Sequence, residues 1–346
     1  MARGCRYGTH RVIDPPGALP QAAWRIDNTM SVWDNEILID VQTLNIDAAS
    51  FTQIKHESGG DPERIAQVML AIVEQRGKHH NPVTGSGGML IGTVAEIGAD
   101  LSGRVDLAVG DRIATLVSLS LTPLVIDKIL GIDQDADQVQ IEGRAILFES
   151  GIFAKLPEDM PDTLALAVLD VAGAPAQTAR LVKPGDTVFI IGAGGKSGLL
   201  CMYEARKRAG VTGRVIALTH SDASRCRAAE TGWADVVLQG NATQPLEVLD
   251  MVGRATDGRL ADITVNCVNI PGTEMSSILS TRDGGLIYFF SMATSFTAAA
   301  LGAEGVGKDV TMLIGNGYTR GHAEIALADV RESAVLRRLF EKQYVK

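Results

Sequence analysis

The stretch VKPGDTVFIIGAGGKSGLL, residues 182–200, decides the fold. Thr187, Val188, Phe189, Ile190 and Ile191 make a short β-branched and aromatic run, suited to a parallel strand buried on both faces, and Pro184, Gly185 and Asp186 open it with a turn. Gly192, Gly194 and Gly195 then let the backbone turn sharply, and the small Ser197 and Gly198 let a helix predicted over 199–208 pack close to the strand. Free N–H groups at the start of that helix face an anion, as at the pyrophosphate of a bound dinucleotide. The spacing is G-x-G-G-x-S-G, with Ser where the third Gly or Ala of a dinucleotide fingerprint stands. Glycines of this kind also mark ordinary turns. Here RVIALT, residues 214–219, supplies a second buried strand and completes a βαβ unit of about 30 residues, which assigns the turn to a dinucleotide. Gly192, Gly194, Gly195, Lys196 and Ser197 are the candidate residues of that turn.

A chain of 346 residues exceeds one hydrophobic core, so two domains are expected. A hydrophobic fraction of 46% and 37 glycines suit a densely packed α/β protein. The net charge of −9, without a basic block, argues against nucleic acid and anionic membrane surfaces and is compatible with a cationic small molecule. Cys5, Cys201, Cys226 and Cys267 are widely separated, with no C-x-x-C or zinc-type pairing, and read as thiols in a reducing cytoplasm. The N-terminus lacks the apolar run of a signal peptide, and no stretch reaches the length of a membrane-spanning helix. A cytoplasmic protein is expected.

Residues 1–155 are predicted to be a β-rich domain. EILIDVQTLNI (36–46) and GMLIGTVAEIG (88–98) alternate partly at period two, and residues 108–116 supply a turn and another strand. Between the first two, residues 61–77 read as an amphipathic helix with Asp61 as N-cap, Pro62 in the first turn and Gly77 as stop. Residues 156–320 alternate strand and helix, with strands near 187–191, 214–219, 235–238, 262–268 and 286–291, the pattern of a doubly wound parallel sheet. Residues 321–346 are set apart as a helical tail, with two short helices predicted from Ala323 onward.

The order GTVAEIGAD, LAVGDRIA, FAKLPEDMPDTLALAVLD and VKPGDTVFIIGAGG resembles the medium-chain dehydrogenase/reductase superfamily over nearly the whole chain. Within it, GTHRVIDPPGALPQAAWRIDN, KHHNPVTGSGGMLIGTV and VNCVNIPGTEMSSILSTRDGG resemble the L-erythro-3,5-diaminohexanoate dehydrogenases of lysine fermentation. The resemblance implies a GroES-like N-terminal domain, a Rossmann domain and oxidative deamination of the 3-amino group with NAD(P)+, releasing ammonia and 5-amino-3-oxohexanoate. Zinc-dependent members of the superfamily hold a catalytic metal with Cys, His and Cys. The matching places here are Asp47, Ser86 with Gly87, and Asp170, without thiolate or imidazole, and the four-Cys zinc lobe has no counterpart. No metal is therefore expected.

Two carboxylates where metal ligands would sit suit an ammonium group. Oxidising an amine by hydride transfer requires the neutral amine, so a base must first take a proton, and Asp47 and Asp170 are the candidates. A loop cap for Asp47 and an exposed helix turn for Asp170 are the structural alternatives. His79 and His80 titrate nearest neutrality, and as neighbours on an extended segment only one faces a substrate. Glu57, expected on a loop, is a further catalytic candidate, and Lys55, Lys78 and Arg104 are the cations available for the substrate carboxylate. The second Rossmann strand ends Thr219, His220, Ser221 without the acid that favours NAD, and Arg225 and Arg227 follow, so NADP is expected, with NAD possible. By superfamily analogy Cys267, Val268, Asn269, Ser291 and Met292 lie near the nicotinamide ribose and ring. Superfamily members commonly dimerise through Rossmann edge strands, and residues 310–318 or LIYFFSM would supply such an edge, giving a homodimer or a dimer of dimers. A zinc-free NADPH-dependent quinone or enone reductase is the alternative enzyme, and a non-catalytic dinucleotide-binding protein the alternative class.

Overall fold

A computed structural model describes residues 3–83, 85, 87–315 and 317–345, with the backbone alone for Ala48 and Ala49. The chain divides into two compact units, Met1–Asp162 and Thr163–Lys346.

In the first unit β1 (Val12–Asp14) and β2 (Arg25–Ile26) form a short antiparallel ribbon. Six further strands make an antiparallel sheet: β3 (Glu36–Ile46), β4 (Gly88–Ile97), β5 (Arg112–Thr115), β6 (Leu124–Asp133), β7 (Gln138–Phe148) and β8 (Phe153–Lys155), in the order β6-β7-β3-β4-β5-β8. The alternation seen at 36–46 and 88–98 falls on the adjacent central strands β3 and β4, paired from Ile37 opposite Ile97 to Ile46 opposite Gly88. Helices α1 (Ala48–Ser58) and α2 (Pro62–Arg76) connect them and share one core with the sheet, in which Ile39, Leu44, Phe51, Ile65 and Met69 are wholly buried. The α2 signals act as expected. The Asp61 carboxylate accepts from the Glu63 N–H at 2.9 Å, and Gly77 ends the helix at φ 72°. Helix α1 replaces the loop expected around Glu57. It starts because Asp47 caps it, accepting from the Ser50 N–H at 3.0 Å, and stops at Gly59 with φ 63°.

The start of β3 is anchored by a buried ion pair. Arg11, 1% exposed, donates to both carboxylate oxygens of Glu36 at 2.6 Å, and His10 adds a contact at 2.8 Å. Burial alone would raise the Glu36 pKa, but the hydrogen bonds from Arg11 and His10 outweigh it and hold the group at about 2.

The second unit is a six-stranded parallel sheet of β9 (Thr187–Ile191), β10 (Arg214–Thr219), β11 (Val236–Gln239), β12 (Ala261–Asn266), β13 (Thr281–Phe289) and β14 (Val310–Ile314). Their spatial order is β11-β10-β9-β12-β13-β14, the 3-2-1-4-5-6 order of a Rossmann sheet. The connecting helices are α3 (Asp162–Leu169), α4 (Gly173–Leu181), α5 (Lys196–Ala209), α6 (Asp222–Glu230), α7 (Pro245–Ala255), α8 (Glu274–Ser280), α9 (Phe296–Gly305), α10 (His322–Glu332) and α11 (Ala334–Tyr344). The two tail helices are α10 and α11, and they belong to this unit. Strands β12 and β13 end before the expected positions 268 and 291, so Cys267 and Ser291 lie in strand-end turns. LIYFFSM is corrected as an edge, because β13 lies between β12 and β14, whereas β14 is the edge strand. Among the described residues no helix is long and apolar enough to cross a membrane.

The Glu36 carboxylate has its folded pKa below its unfolded value, so its contribution is full above the ordinary carboxylate range and is lost as pH falls through about 2. Glu36→Gln leaves Arg11 buried without its counter-charge and is expected to cost about 3–5 kcal/mol. The check is urea unfolding at neutral pH, where an unchanged unfolding curve would refute the assignment.

Candidate functional site

The glycine turn lies where the order of the parallel sheet reverses, between β9 and β12, the place at which open α/β sheets bind ligands. Gly192 leaves β9 with φ 83°, a conformation that L side chains rarely adopt. A Cβ on Gly198 would run into the Gly192 carbonyl, so glycine at 198 lets α5 lie against the end of the strand. No side chain caps α5 at Gly195, which leaves the positive end of the helix available to an anion. These features fit the pyrophosphate of a dinucleotide. Ser197 is buried in the first turn of α5.

Three side chains hold the turn. Arg227 Nε donates to the Gly194 carbonyl at 2.9 Å, Lys196 Nζ donates to Asp170 Oδ2 at 2.8 Å, and Lys196 also stands 5.2 Å from the centre of the Tyr344 ring. Burial raises the Tyr344 hydroxyl pKa against the opposing pull of Lys196. Asp170, expected to face the substrate amine, thus carries an ion pair to the glycine turn. The sequence offers Arg227 only as a cation for a 2′-phosphate and does not single out Tyr344, since neither has a local signal that points to the turn.

The candidates past the other strands gather at the same end of this sheet. The Asn266 side chain fixes the β12 exit, accepting from the Val268 N–H at 3.1 Å and donating to Thr273 at 2.9 Å and Ser277 at 3.0 Å. Val268 Cγ2 would be 2.9 Å from a Cβ on Gly192, and the Cys267 N–H donates to the Ile191 carbonyl at 2.9 Å. Ser291 Oγ donates to Asn269 Oδ1 at 3.4 Å, and Met292 stands exposed nearby in sequence. At the β10 exit, Ser221 caps α6 in a reciprocal pairing with Ser224, His220 is exposed, and Arg225 lies 3.6 Å from Asp222.

A separate polar cluster forms in the first unit, where β3 ends and β4 begins. A Cβ on Gly88, at φ 114°, would press on the backbone of Asn45, Ile46 and Asp47, and one on Gly87 would lie 2.7 Å from the His79 carbonyl. These two glycines bring the segment after α2 against the Asp47 turn. Asp47 Oδ1 caps α1, while Oδ2 is buried and has no hydrogen-bond partner among the described residues. His79 is wholly buried, and neither of its ring nitrogens has a partner there. Burial drives its pKa down to about 4, against the opposing charge of Asp47. His79 is therefore a neutral imidazole at neutral pH. His80 is only partly buried and also falls to about 4, through burial and then the charges of Lys78 and Arg76.

The remaining candidates are placed elsewhere. Glu57 is on the exposed face of α1, accepting from Gln53 at 2.9 Å. Lys78 is buried and spends its ammonium on the Pro20 carbonyl at 2.6 Å; burial lowers its pKa to about 8. Lys55 donates to the Gln134 carbonyl at 2.8 Å, and Arg104 to the Asp100 carbonyl at 3.0 Å. Ser86 lies outside the described residues. Among the described residues no group of three His, Cys, Asp or Glu side chains is placed to hold a metal ion.

Solved structures with the same architecture include an alcohol dehydrogenase and a quinone oxidoreductase, at low sequence identity. Alcohol dehydrogenase TADH from Thermus sp. ATN1 matches with a TM-score of 0.54 at 18% identity, over 93% of this chain and 92% of that one. A mycobacterial quinone oxidoreductase matches with a TM-score of 0.54 at 16% identity, over 94% and 87%. The fold is that of the medium-chain dehydrogenase/reductases. Sequence comparison narrows it. The model of the L-erythro-3,5-diaminohexanoate dehydrogenase N-terminal domain matches residues 10–157. The L-erythro-3,5-diaminohexanoate dehydrogenase of Acetoanaerobium sticklandii is 63% identical over 343 residues, 99% of this chain and 100% of that protein. The protein of the same name from Fusobacterium nucleatum is 58% identical over 345 residues, the full length of both. The chain belongs to the L-erythro-3,5-diaminohexanoate dehydrogenase family. A dehydrogenase family on this fold uses a nicotinamide dinucleotide, and the glycine turn is built to fit one.

Since the contact of Gly198 with Gly192 seats α5, Gly198→Ala is expected to push the helix off the strand and weaken dinucleotide binding roughly tenfold to hundredfold, the scale of overpacking by one methyl. Fluorescence titration with NADH and NADPH checks this, and wild-type affinity would count against the turn as the binding element.

Proposed function

We propose that the protein oxidatively deaminates L-erythro-3,5-diaminohexanoate at the 3-amino group with water and NAD(P)+, yielding 5-amino-3-oxohexanoate, ammonium, NAD(P)H and a proton, in the cytoplasm. The observation that carries this reading is the 63% identity, over the full length, to a protein of that name. The quinone and enone reductase alternative has the support of a shared fold alone, at 14% to 18% identity. Ammonia release from the diamino acid with reduction of the cofactor separates the two.

A nicotinamide dinucleotide held at the turn of Gly192, Gly194 and Gly195 would supply the hydride acceptor. The chain's side chains manage charge and protons. The substrate amine arrives as ammonium, and a carbon beside an ammonium is a poor hydride donor, so a proton must leave first. In our reading Asp47 Oδ2, buried and lacking a hydrogen bond, draws the ammonium in. His79, uncharged beside it, does not repel that cation and offers a lone pair for the proton. Once that proton has passed to solvent, the same groups take a proton from the water that attacks the iminium carbon and give it to the nitrogen, whose bond to carbon breaks as the carbinolamine hydroxyl loses its proton, leaving the ketone and ammonium. Asp170 enters through Lys196: their ion pair fixes the first residue of α5 at the glycine turn, which makes Asp170 a positioning residue in this scheme. His80, Glu57 and Ser86 are left as alternative proton carriers.

For the cofactor we infer a preference for NADP, with NAD accepted. The support is the absence of an acid at the end of β10, the capped start of α6 and the exposed Arg225 close by. Positive charge at that point favours a 2′-phosphate. For assembly we infer a homodimer or a dimer of dimers through β14, an edge strand that ends in the exposed Ile314 and has the exposed Tyr318 beyond it.

Three outcomes are expected. Asp47→Asn keeps a good helix cap and so keeps the fold, while turnover of the diamino acid falls by about 10²–10⁴ and dinucleotide affinity stays; wild-type turnover would end the proposed role. Arg225→Ala weakens NADP+ by about 1.5–3 kcal/mol with NAD+ unchanged, and equal loss for both removes the argument for NADP. Light scattering gives a dimer or tetramer mass, against which a concentration-independent monomer would stand.

A further inference from the structure

Two of the four cysteines, 66 residues apart in sequence, meet at the point where the parallel sheet reverses its order. Cys201, in α5, is wholly buried, and its Sγ lies 3.9 Å from that of Cys267, the first residue past β12. Cys267 is only partly buried. A disulfide is about 2.05 Å long, so the sulfurs must approach by roughly 1.9 Å. No role of these thiols is needed for the deamination. Their surroundings are polar on one side, with Thr178 near Cys201, and the buried Tyr288 borders both.

We propose that Cys201 and Cys267 are a reversible dithiol, closed by a low-molecular-weight disulfide and reopened by a thiol, and that closure opposes dinucleotide binding at the adjacent glycine turn. The order of events follows from access. The Cys267 thiol loses its proton and attacks one sulfur of the small disulfide, forming a mixed disulfide and releasing one thiolate, which takes up a proton. Cys201 then loses its proton and attacks the Cys267 sulfur, closing the bridge and releasing the second small thiol. Two electrons and two protons pass from the cysteines to the reagent, which is reduced to two thiols. Burial and the neighbouring Cys267 hold the Cys201 thiol well above the ordinary range, so the second step is the slow one and speeds up with rising pH.

The coupling to the turn runs through backbone already described. The Cys267 N–H is bonded to Ile191, the last residue of β9, and Val268 fills the space beside Gly192. A bridge that draws Cys267 toward α5 tugs on both. This second half of the proposal rests on the glycine turn as the dinucleotide site, whereas bridge formation does not.

The test treats the full-length protein with oxidised glutathione at pH 7 and pH 8.5, then measures intact mass, maps the peptides and titrates NADH and NADPH. Expected are loss of two hydrogens, a peptide joining Cys201 to Cys267, faster closure at the higher pH and dinucleotide affinity reduced about tenfold, within the usual range of coupling between sites. Dithiothreitol should reverse all of these. Cys201→Ser should keep basal activity and stop at the mixed disulfide; Cys201→Ala serves if the serine variant does not fold. Glutathione adducts without the joined peptide in the wild type would overturn the proposal, and a bridge with unchanged affinity would overturn the coupling. If the reduced protein binds neither dinucleotide, the reading of the glycine turn fails, while the mass and peptide map still decide the bridge.

Discussion

The second unit depends on a contact made possible by the lack of a side chain: Gly198 in the first turn of α5 lies against the Gly192 carbonyl at the end of β9. Any Cβ at 198 would occupy that oxygen's place. The close seat brings the positive end of α5 to the point where the sheet reverses order, and it determines what else can gather there. Arg227 reaches back from α6 to the Gly194 carbonyl, Asp170 takes the Lys196 ammonium, and Tyr344 from the last helix stacks beside that cation. Three separate parts of the chain thus brace the turn that leads into the uncapped start of α5.

The first unit is organised by the opposite kind of feature, polar groups left without partners. A buried group lacking a hydrogen bond costs about 1–3 kcal/mol, so Asp47 Oδ2 and both nitrogens of His79 represent a sizeable penalty. The contrast is Glu36, whose carboxylate is fully engaged by Arg11 and His10. Both are acidic groups beside basic ones in the same unit. Among the described residues of this unit Asp47 and His79 are left with capacity to bind something further, as are Ser58 Oγ and His80 Nδ1, and a neutral imidazole next to a carboxylate matches an incoming ammonium in charge and in hydrogen-bonding capacity.

Much of the fold could be read along the chain because its signals are local. The strand, turn and helix of residues 187–209 are contiguous, the alternation in β3 and β4 reflects a sheet with one face in the core, and α2 carries its own cap, proline and stop. Helix α1 was hidden. Its buried apolar residues Phe51 and Ile54 are too few to make a clear stripe, and it forms because Asp47 caps it and the first unit's core receives those two side chains. The same burial separates Lys78 and His79, neighbours whose roles the sequence left open: one ends on a backbone carbonyl, the other has both nitrogens unsatisfied.

By itself the sequence determined the order of elements, the glycine turn with its dinucleotide chemistry, and the family resemblance, since each is written in residues within one or two turns of each other. The tertiary structure decided which of the candidate groups are already engaged. Asp170 and Lys196 are 26 residues apart, and Cys201 and Cys267 are 66 apart. Hydrogen bonds act over about 3 Å, so a partner is set by where the strands and helices pack and cannot be read from separation along the chain.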